Sequence, residues 1–161
     1  MDESISVRLG TAADLPRVQP LWEALYVDQA QQGMVLAVPP GSFASWRQQL
    51  EPVLGRFGCL VVAESAGALR GFVAGRIRPI PPYFGGGTAG FVGEVYTAPE
   101  ARGRGAARRM LAVAADFFAE GGARRMELQV VPGNEGARAA YRKLGWREEL
   151  VQMTVPLGGN R

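Results

Sequence analysis

The fold of this chain is decided by residues 94–109, which read Glu-Val-Tyr-Thr-Ala-Pro-Glu-Ala-Arg-Gly-Arg-Gly-Ala-Ala-Arg-Arg. A strand-like run over residues 90–97 leads into this stretch, and apolar side chains at helical spacing predict a helix over residues 105–120. Between them, glycines let the backbone turn tightly, and the first N–H groups of a helix attract an anion. Arg104 and Arg108 add positive charge on one side of the helix. The pattern predicts a phosphate-binding loop, with a simple tight connection as the alternative.

A second informative stretch is residues 134–146, Asn-Glu-Gly-Ala-Arg-Ala-Ala-Tyr-Arg-Lys-Leu-Gly-Trp. Asn134 and Tyr141 are separated by nearly two helical turns at ~100° per residue, so both fall on one face of the predicted helix. The small Ala137 between them leaves that face open. Two interpretations follow: both residues face a ligand, or Asn134 caps the helix while Tyr141 packs in the core.

Together the two stretches resemble the GNAT superfamily of acyl-CoA N-acyltransferases. The spacing Arg102-x-x-Gly105-x-Ala107 is similar to the family's pyrophosphate-binding signature. Residues 134–146 are similar to its N-x-x-A-x-x-x-Y-x-K-x-G-F/W block. The match is close over residues 90–146, and the order of elements agrees over the whole chain.

The resemblance implies an α/β fold of the α+β type, with a mixed, mostly antiparallel sheet of six to seven strands flanked by about four helices. The fourth and fifth strands, residues 90–97 and 126–131, would splay apart at their ends. Hydrophobic spacing and turn residues predict the other elements. These are a strand over residues 5–9, helices over residues 12–32, 43–51 and 134–144, a hairpin of residues 60–64 and 69–78, and a final strand over residues 149–155.

By the same resemblance the acyl donor is acetyl-CoA. Its pantetheine arm would pair with the backbone of residues 95–97, in the manner of an added strand. The amides of residues 103–108 would hold its pyrophosphate, and Asn134 would bond the arm. The residues assigned to the cofactor on this basis are Val95, Tyr96, Thr97, Arg102, Gly103, Arg104, Gly105, Ala106, Ala107, Arg108 and Asn134. No metal is expected.

The reaction implied by the resemblance is direct transfer of the acetyl group to a primary amine in a ternary complex. A base must act first, because a lysine-like ammonium has a pKa of ~10.4. Glu94, on the strand beside the acyl site, is the expected base, and Tyr141 matches the family's acid for the departing thiolate. A plain structural role is the alternative for Glu94. Some relatives carry a catalytic glutamate where this chain has Gln129, and glutamine cannot accept the proton. Glu127 faces the same side of that strand and is a weaker candidate for the base.

The acceptor is expected to be a small-molecule amine or an amino group of a peptide or protein. In this family the first helices and the loop after the third strand wall the acceptor site. The substrate-binding residues implied are Tyr26, Asp28, Trp46, Tyr83 and Phe84. Core packing is the alternative for the aromatic residues. A homodimer is compatible with the resemblance, because dimers are common in the family and the final predicted strand could offer an edge, but the sequence leaves the oligomeric state open. The alternative function is a non-catalytic module that senses acyl-CoA.

Composition excludes several other classes of protein. The chain has 161 residues, of which 47% are hydrophobic and 20% charged, values typical of a single folded domain over residues 1–161. It has no histidine and one cysteine, Cys59, which excludes a Cys/His zinc site and histidine-dependent hydrolysis. Residues 99–125 hold six arginines and three acidic residues, a difference equal to the whole net charge of +3. This local basic region favours a small polyanion over a nucleic acid.

The sequence also bears on localisation. No apolar run approaches the ~18 residues that a membrane span requires. The acidic start of the chain lacks the basic and apolar segments of a secretory signal. A cytoplasmic protein without a membrane partner is therefore expected.

Overall fold

A computed structural model describes residues 4–34 and 36–158 of the chain. Its sheet has five strands in the order of the chain. They are β1 (Ser6–Leu9), β2 (Gly58–Ser65), β3 (Ala68–Pro79), β4 (Thr88–Thr97) and β5 (Met126–Leu128). Neighbouring strands are antiparallel except β4 and β5, which are parallel because a helix connects them.

Helices cover both faces of this sheet. They are α1 (Leu15–Gln31), α2 (Ser42–Leu50), α3 (Ala106–Glu120) and α4 (Glu135–Lys143). The helix α1 begins after a capping box between Thr11 and Asp14, as their spacing predicts. Because both faces are covered, β2 is an almost unbroken apolar run instead of an alternating one.

The alternation of β2 divides the core into two layers. Val61 and Ala63 pack with α3, in a layer that includes Met110 and Phe118. The intervening β2 side chains pack with α1 and α2 in the other layer. The approach of α3 to β4 depends on Gly90, because a Cβ there would lie 2.3 Å from the Phe118 ring. The glycine is therefore required by packing at this point of the strand.

A β-bulge in β4 determines which residues reach each layer. Ala74 pairs with Glu94 and Gly75 pairs with Val92, which leaves Gly93 as an extra residue on β4. The extra residue reverses the alternation of the strand. Val92 consequently packs in the α3 layer, whereas Glu94 reaches side chains of α1 and α2 on the opposite face.

The strands β4 and β5 separate after a short contact. They pair only at Gly90 with Met126, Phe91 with Glu127, and Val92 with Leu128. Beyond this point the β5 side of β4 has no strand partner among the described residues, so the predicted splay is confirmed. We call this opening the β4–β5 slot.

Two predictions about strands differ from the structure. The described residues contain five strands instead of six or seven, and residues 149–155 form no strand. The predicted fifth strand, residues 126–131, is a ladder only over its first three residues. A ladder requires a neighbouring backbone at hydrogen-bonding distance. The final segment instead forms side-chain hydrogen bonds with Arg125 and Gln129, on either side of β5, and no backbone hydrogen bond among the described residues. The arrangement of sheet and helices is nevertheless the one expected.

Candidate active site

The β4–β5 slot presents unpaired backbone groups of β4. The N–H of Ala98 donates to Arg70 on the β3 side at 2.7 Å. Strand alternation therefore directs the backbone groups of Val95 and Thr97 toward the slot. Of these, the Thr97 carbonyl oxygen already accepts a hydrogen bond from Arg102 Nε, and the others have no strand partner among the described residues. The Thr97 Oγ1 is also buried without a hydrogen-bond partner among the described residues. The slot thus offers donors and acceptors to an extended ligand that carries amides.

The loop at the mouth of the slot leads into α3. Gly103 and Gly105 have φ angles of +74° and +75°, in the left-handed region where glycine is favoured. A Cβ at either position would meet nothing within 4 Å, so the space above the loop is open. The first helical hydrogen bond is Arg109 N–H to Gly105 O, which leaves the N–H groups at the start of α3 without helical acceptors. With Arg108 exposed beside them, these groups form a site for an anion.

Arg102 connects the loop to α1. Its Nε donates to the Thr97 carbonyl oxygen at 2.9 Å, and its Nη2 lies 3.3 Å from Asp28 Oδ2. Its guanidinium also lies 5.7 Å from the centre of the Tyr96 ring. The structure therefore places Arg102 and Asp28 together beside the slot, with Arg102 bonded to protein groups.

A carboxyl group lies on the other face of β4, directly after the bulge. Glu94 Oε1 accepts hydrogen bonds from Tyr26 Oη at 3.1 Å and from Trp46 Nε1 at 2.9 Å. Burial raises the pKa of Glu94 to about 7, against the smaller lowering effects of these two bonds and of the charge on Arg76. Both bonds reach one oxygen, so Oε2 has no hydrogen-bond donor among the described residues. The group is therefore about half ionised at neutral pH, and its second oxygen carries no hydrogen bond from the described residues.

Tyr141 and Asn134 lie on α4, on the opposite side of the sheet from Glu94. Tyr141 is half-buried against the α3 layer, with its ring 6.0 Å from that of Trp146. Burial raises the pKa of its hydroxyl to about 12, so the phenol is protonated at neutral pH. The Asn134 Oδ1 accepts from Ala137 N–H at 3.1 Å, so Asn134 does cap the helix. The cap uses only Oδ1, which leaves the side-chain amide group of Asn134 to donate.

The remaining residues from the sequence analysis are placed differently. Tyr83 and Phe84 contact each other and are exposed in the loop before β4. This loop joins β4 at Thr88, about 20 Å along an extended strand from Glu94. The structure therefore does not bring these two aromatic residues to the Glu94 group. Glu127 is close to Arg125, 3.6 Å away, and its side chain is exposed.

Three features of the site were not predicted from the sequence. Tyr26 and Trp46 were expected to line the acceptor site, but their bonds to Glu94 were not foreseen. The effect of Arg76 was not foreseen either. Its positive charge, on the neighbouring strand β3, lowers the pKa of Glu94. The bulge at Gly93 had a usable signal, because a glycine inside a strand often marks one.

The slot, the glycine loop and the downstream tyrosine occur in the order that the sequence motifs predict. The Acetyltransferase (GNAT) family matches residues 22–146. This chain belongs to the GNAT acetyltransferase family. A search of curated proteins finds no match.

Solved GNAT structures share this fold. A tetramutant of the BH1408 protein from Bacillus halodurans is 18% identical with a TM-score of 0.77, over 94% of this chain and 99% of that one. Ribosomal-protein-alanine N-acetyltransferase from Brucella melitensis biovar Abortus 2308 is 21% identical with a TM-score of 0.73, over 96% and 100%. Aminoglycoside N-acetyltransferase AAC(6')-Iy in complex with CoA is 17% identical with a TM-score of 0.76, over 98% and 97%.

The described residues lack two kinds of feature. No helix there is both long and apolar enough to cross a bilayer. No three His, Cys, Asp or Glu side chains within residues 4–34 and 36–158 come together as a metal site would require.

Proposed function

We propose that this protein is an N-acetyltransferase that moves an acetyl group from acetyl-CoA to a primary amine by direct transfer in a ternary complex. The observation that carries the proposal is the Glu94 carboxyl, which has a pKa of about 7 and a free oxygen directly after the β4 bulge. Family membership and the CoA complex of one structural neighbour support the choice of donor.

The chain offers a fitting site for acetyl-CoA. The backbone of Val95 and Thr97, with the unpartnered Thr97 Oγ1, would bond the pantetheine amides. The N–H groups of residues 103–108 and the exposed Arg108 would hold the pyrophosphate. The side-chain amide of Asn134 would donate from α4. The bound cofactor supplies an activated acetyl group as a thioester.

Glu94 would act as the base toward the acceptor. An amine enters as an ammonium ion, and its nitrogen can attack only after a proton leaves. A carboxylate with a pKa of about 7 is half ionised at neutral pH and still basic enough to accept that proton. The two donors on Oε1 fix the carboxyl orientation and leave Oε2 for the amine or for a bridging water.

Tyr141 would act as the acid toward the sulfur. As the N–C bond forms and the C–S bond breaks, the sulfur gains an electron pair and needs a proton. The Tyr141 phenol, whose pKa is about 12, is protonated at neutral pH and lies on the α3 side of the sheet. The Tyr141 phenol would donate its proton to the sulfur and take another from solvent. Glu94 would accept the proton that the amine loses.

The acceptor class rests on the geometry near Glu94 and on the named activities of the neighbours. Those neighbours include enzymes named for an aminoglycoside, for glucosamine-6-phosphate and for a ribosomal-protein alanine, all of which are amines. Tyr26 and Trp46 would line the approach to Glu94, and Asp28 would add an acidic group at its edge. A small-molecule amine or a peptide amino group is the proposed acceptor.

The test combines binding and turnover on one sample. Calorimetric titration with CoA is expected to show binding near micromolar, about −8 kcal/mol. Thiol release from acetyl-CoA should then depend on an added amine from a panel of aminosugars, polyamines and short peptides. Binding without release from any amine would favour the non-catalytic sensor. Absence of CoA binding would contradict both assignments.

Tyr141→Phe separates the acid from the binding site. It removes only the hydroxyl, so CoA affinity should stay within about twofold while kcat falls by about 10²-fold. Arg142→Gln is the control on the same helix, because Arg142 is exposed and bonds Glu148. If Tyr141→Phe turns over like the control, Tyr141 is not the acid.

A further inference from the structure

The sheet face that carries Glu94 also carries two arginines of the neighbouring strand β3. Ala74 packs in the layer of α1 and α2, whereas Ile77 packs in the α3 layer. Because side chains alternate along a strand, Arg76 and Arg78 extend from the same face as Ala74. Both arginines therefore lie on the face of the sheet from which Glu94 meets its donors.

Arg76 lies close to Glu94 along the ladder. Glu94 is paired with Ala74, and Arg76 follows two positions later on β3. Two residues of an extended strand span about 7 Å, so both side chains can reach one small molecule. The positive charge of Arg76 also lowers the pKa of Glu94. Neither a hydrogen bond nor an ion pair joins the two side chains among the described residues.

The guanidinium of Arg76 has no acidic partner within the described part of the chain. Arg76 is half-buried, yet it forms no ion pair and no hydrogen bond through its side chain with any described residue. Burial removes part of the hydration of a charged group, and charges inside proteins are usually balanced by a partner. The N–H donors of this guanidinium are therefore available to a molecule from solution.

Two carboxylates of the segments that cover this face are already held by other arginines. Arg102 Nη2 lies 3.3 Å from Asp28 Oδ2 of α1, and Arg47 Nε lies 2.9 Å from Glu51 Oε2 after α2. Each carboxylate thus has a cation of its own. Neither of them balances the charge of Arg76.

Arg78 adds a second positive charge farther from Glu94. Its guanidinium lies 3.5 Å from the centre of the Phe91 ring, a cation–π contact that holds it against β4. Phe91 is paired with Arg76 across the ladder, so the ring lies beside both arginines. This face of the sheet therefore carries a carboxyl group followed by an aromatic ring and two guanidinium groups.

We propose that Arg76 binds an anionic group of the acceptor, so that the substrate is a primary amine that carries a carboxylate or a phosphate. The amine would lie at Glu94 Oε2 and the anion at the guanidinium of Arg76, with Arg78 as a second cation farther out. An arginine matches either anion with two parallel hydrogen bonds. The inference rests on the proposed function, because it names the acceptor class of the same site.

The charges of this face disfavour amines that carry positive charge alone. A polyamine would bring several ammonium groups to a face where Arg76 and Arg78 are already positive, and like charges repel. An amine that also carries an anion balances Glu94 at one end and Arg76 at the other. Because the two groups are about 7 Å apart along the strand, a chain of a few carbon atoms is enough to join the amine to the anion.

Binding of matched amines tests the anion subsite without any turnover. The probes are γ-aminobutyrate with its amide, and aminopropyl phosphate with aminopropanol, which lacks the phosphate. Tryptophan fluorescence in the presence of CoA reports binding, because Trp46 lies beside Glu94. We expect the anionic member of a pair to bind about 10-fold more tightly, through charge-assisted hydrogen bonds to Arg76. Equal affinities within both pairs, or no binding of any probe, would overturn the proposal.

The two pairs also distinguish the carboxylate from the phosphate. A preference confined to γ-aminobutyrate over its amide supports the proposal with an amino acid as the acceptor. A preference confined to aminopropyl phosphate supports it with a phosphorylated amine.

Arg76→Gln should abolish the preference and leave the affinity for the probe without the anion unchanged. Loss of the Arg76 charge also raises the pKa of Glu94, but that change affects both members of a pair equally. Arg76→Lys should retain part of the preference, since a point charge remains without the planar fork.

Arg70→Gln is the matched control for these variants. Arg70 lies on the same face of β3, and its charge is already balanced by Glu100, 2.9 Å away. The control should therefore keep the full preference for the anionic probe. If Arg76→Gln discriminates as well as the control does, Arg76 does not bind the anion.

Turnover separates this proposal from the acetyltransferase assignment. The kcat/KM for thiol release should favour the anionic member of a pair by about 10-fold, mainly through KM. Release from both members at equal kcat/KM would contradict the anion subsite and leave the acetyltransferase assignment intact. Tighter binding of the anionic probe without any thiol release would contradict the acetyltransferase assignment and leave Arg76 as an anion-binding residue.

Discussion

Two carboxyl groups of this chain show how environment changes the ionisation of the same chemical group. Asp14 lies at the start of α1, and Arg8 donates to both of its oxygens at 2.8 Å. Glu94 lies on β4 and receives only the neutral donors Tyr26 and Trp46. The Arg8 hydrogen bonds hold the pKa of Asp14 well below its usual range, whereas burial raises the pKa of Glu94 to about 7.

The difference arises from the charge of the partners. Asp14 also contacts Arg17 at 3.1 Å and accepts from the Thr11 N–H, so its ionised form is satisfied by cations and by the backbone. Nothing of comparable charge bonds to Glu94, so burial opposes its ionisation. A carboxylate with complete partners stabilises a fold. One that is left partly unsatisfied is available to take a proton.

The largest expected effect is on turnover at Glu94. Glu94→Gln keeps the hydrogen-bond acceptor for Tyr26 and Trp46 but cannot accept a proton. We expect kcat to fall by about 10³-fold with CoA affinity unchanged, within the range for loss of a general base. Glu127→Gln is the matched control, because it removes a carboxylate on β5 that is paired with Arg125. A larger loss in the Glu127 variant would transfer the role of base to that residue.

Stability should respond at Asp14 instead. Asp14→Ala leaves two arginines and one backbone N–H without their acceptor. The arginines are partly solvated, so we expect a loss of about 3 kcal/mol in the free energy of unfolding. Urea unfolding monitored by tryptophan fluorescence measures this free energy. The kcat of the folded variant should equal that of the wild type. Stability within ~0.5 kcal/mol of the wild type would mean that the ion pairs contribute little.

The pH dependence of stability should run in opposite directions for the two groups. Asp14 has a lowered pKa, so its contribution is present above the unfolded value of 3.8 and is lost on acidification. Glu94 has a raised pKa, so its contribution is full below the unfolded value of 4.5 and is lost as pH rises through about 7. Glu94→Gln should therefore gain on the order of 2 kcal/mol over the wild type between pH 5 and pH 8. A pH-independent difference would contradict the raised pKa.

The smallest effect should follow from removing one donor to Glu94. Tyr26→Phe deletes a hydrogen bond that favours the ionised carboxylate, so the pKa of Glu94 should rise by less than ~1 unit. The acidic limb of the kcat/KM profile should shift to higher pH by the same amount. Asp14→Asn should leave the limb in place. An unshifted limb in Tyr26→Phe would mean that another group controls it.

The sequence predicted the fold well where the signals were local. The helix over residues 105–120 begins within a residue of the observed α3. The Thr11–Asp14 capping box joins two residues that are three positions apart. These features depend on residues only a few positions apart, so spacing and residue type suffice. The splay of β4 and β5 was predicted through family resemblance, and the structure confirms it.

Prediction failed where a distant partner decides the outcome. Residues 149–155 alternate as a strand should, yet a strand needs a neighbouring backbone, and alternation cannot show whether one is present. The acceptor role of Tyr83 and Phe84, which rests on analogy with the family's loop, stays a prediction.

The sequence by itself determined the glycine loop and the start of α3, because φ preferences and helix caps are properties of neighbouring residues. Only the tertiary structure decided the surroundings and the pKa of Glu94. Its two donors lie 68 and 48 residues away in the chain, and the bulge at Gly93 turns its side chain toward them. The pKa of a carboxyl depends on burial and on charges within a few ångströms. Those distances exist only after the chain has folded.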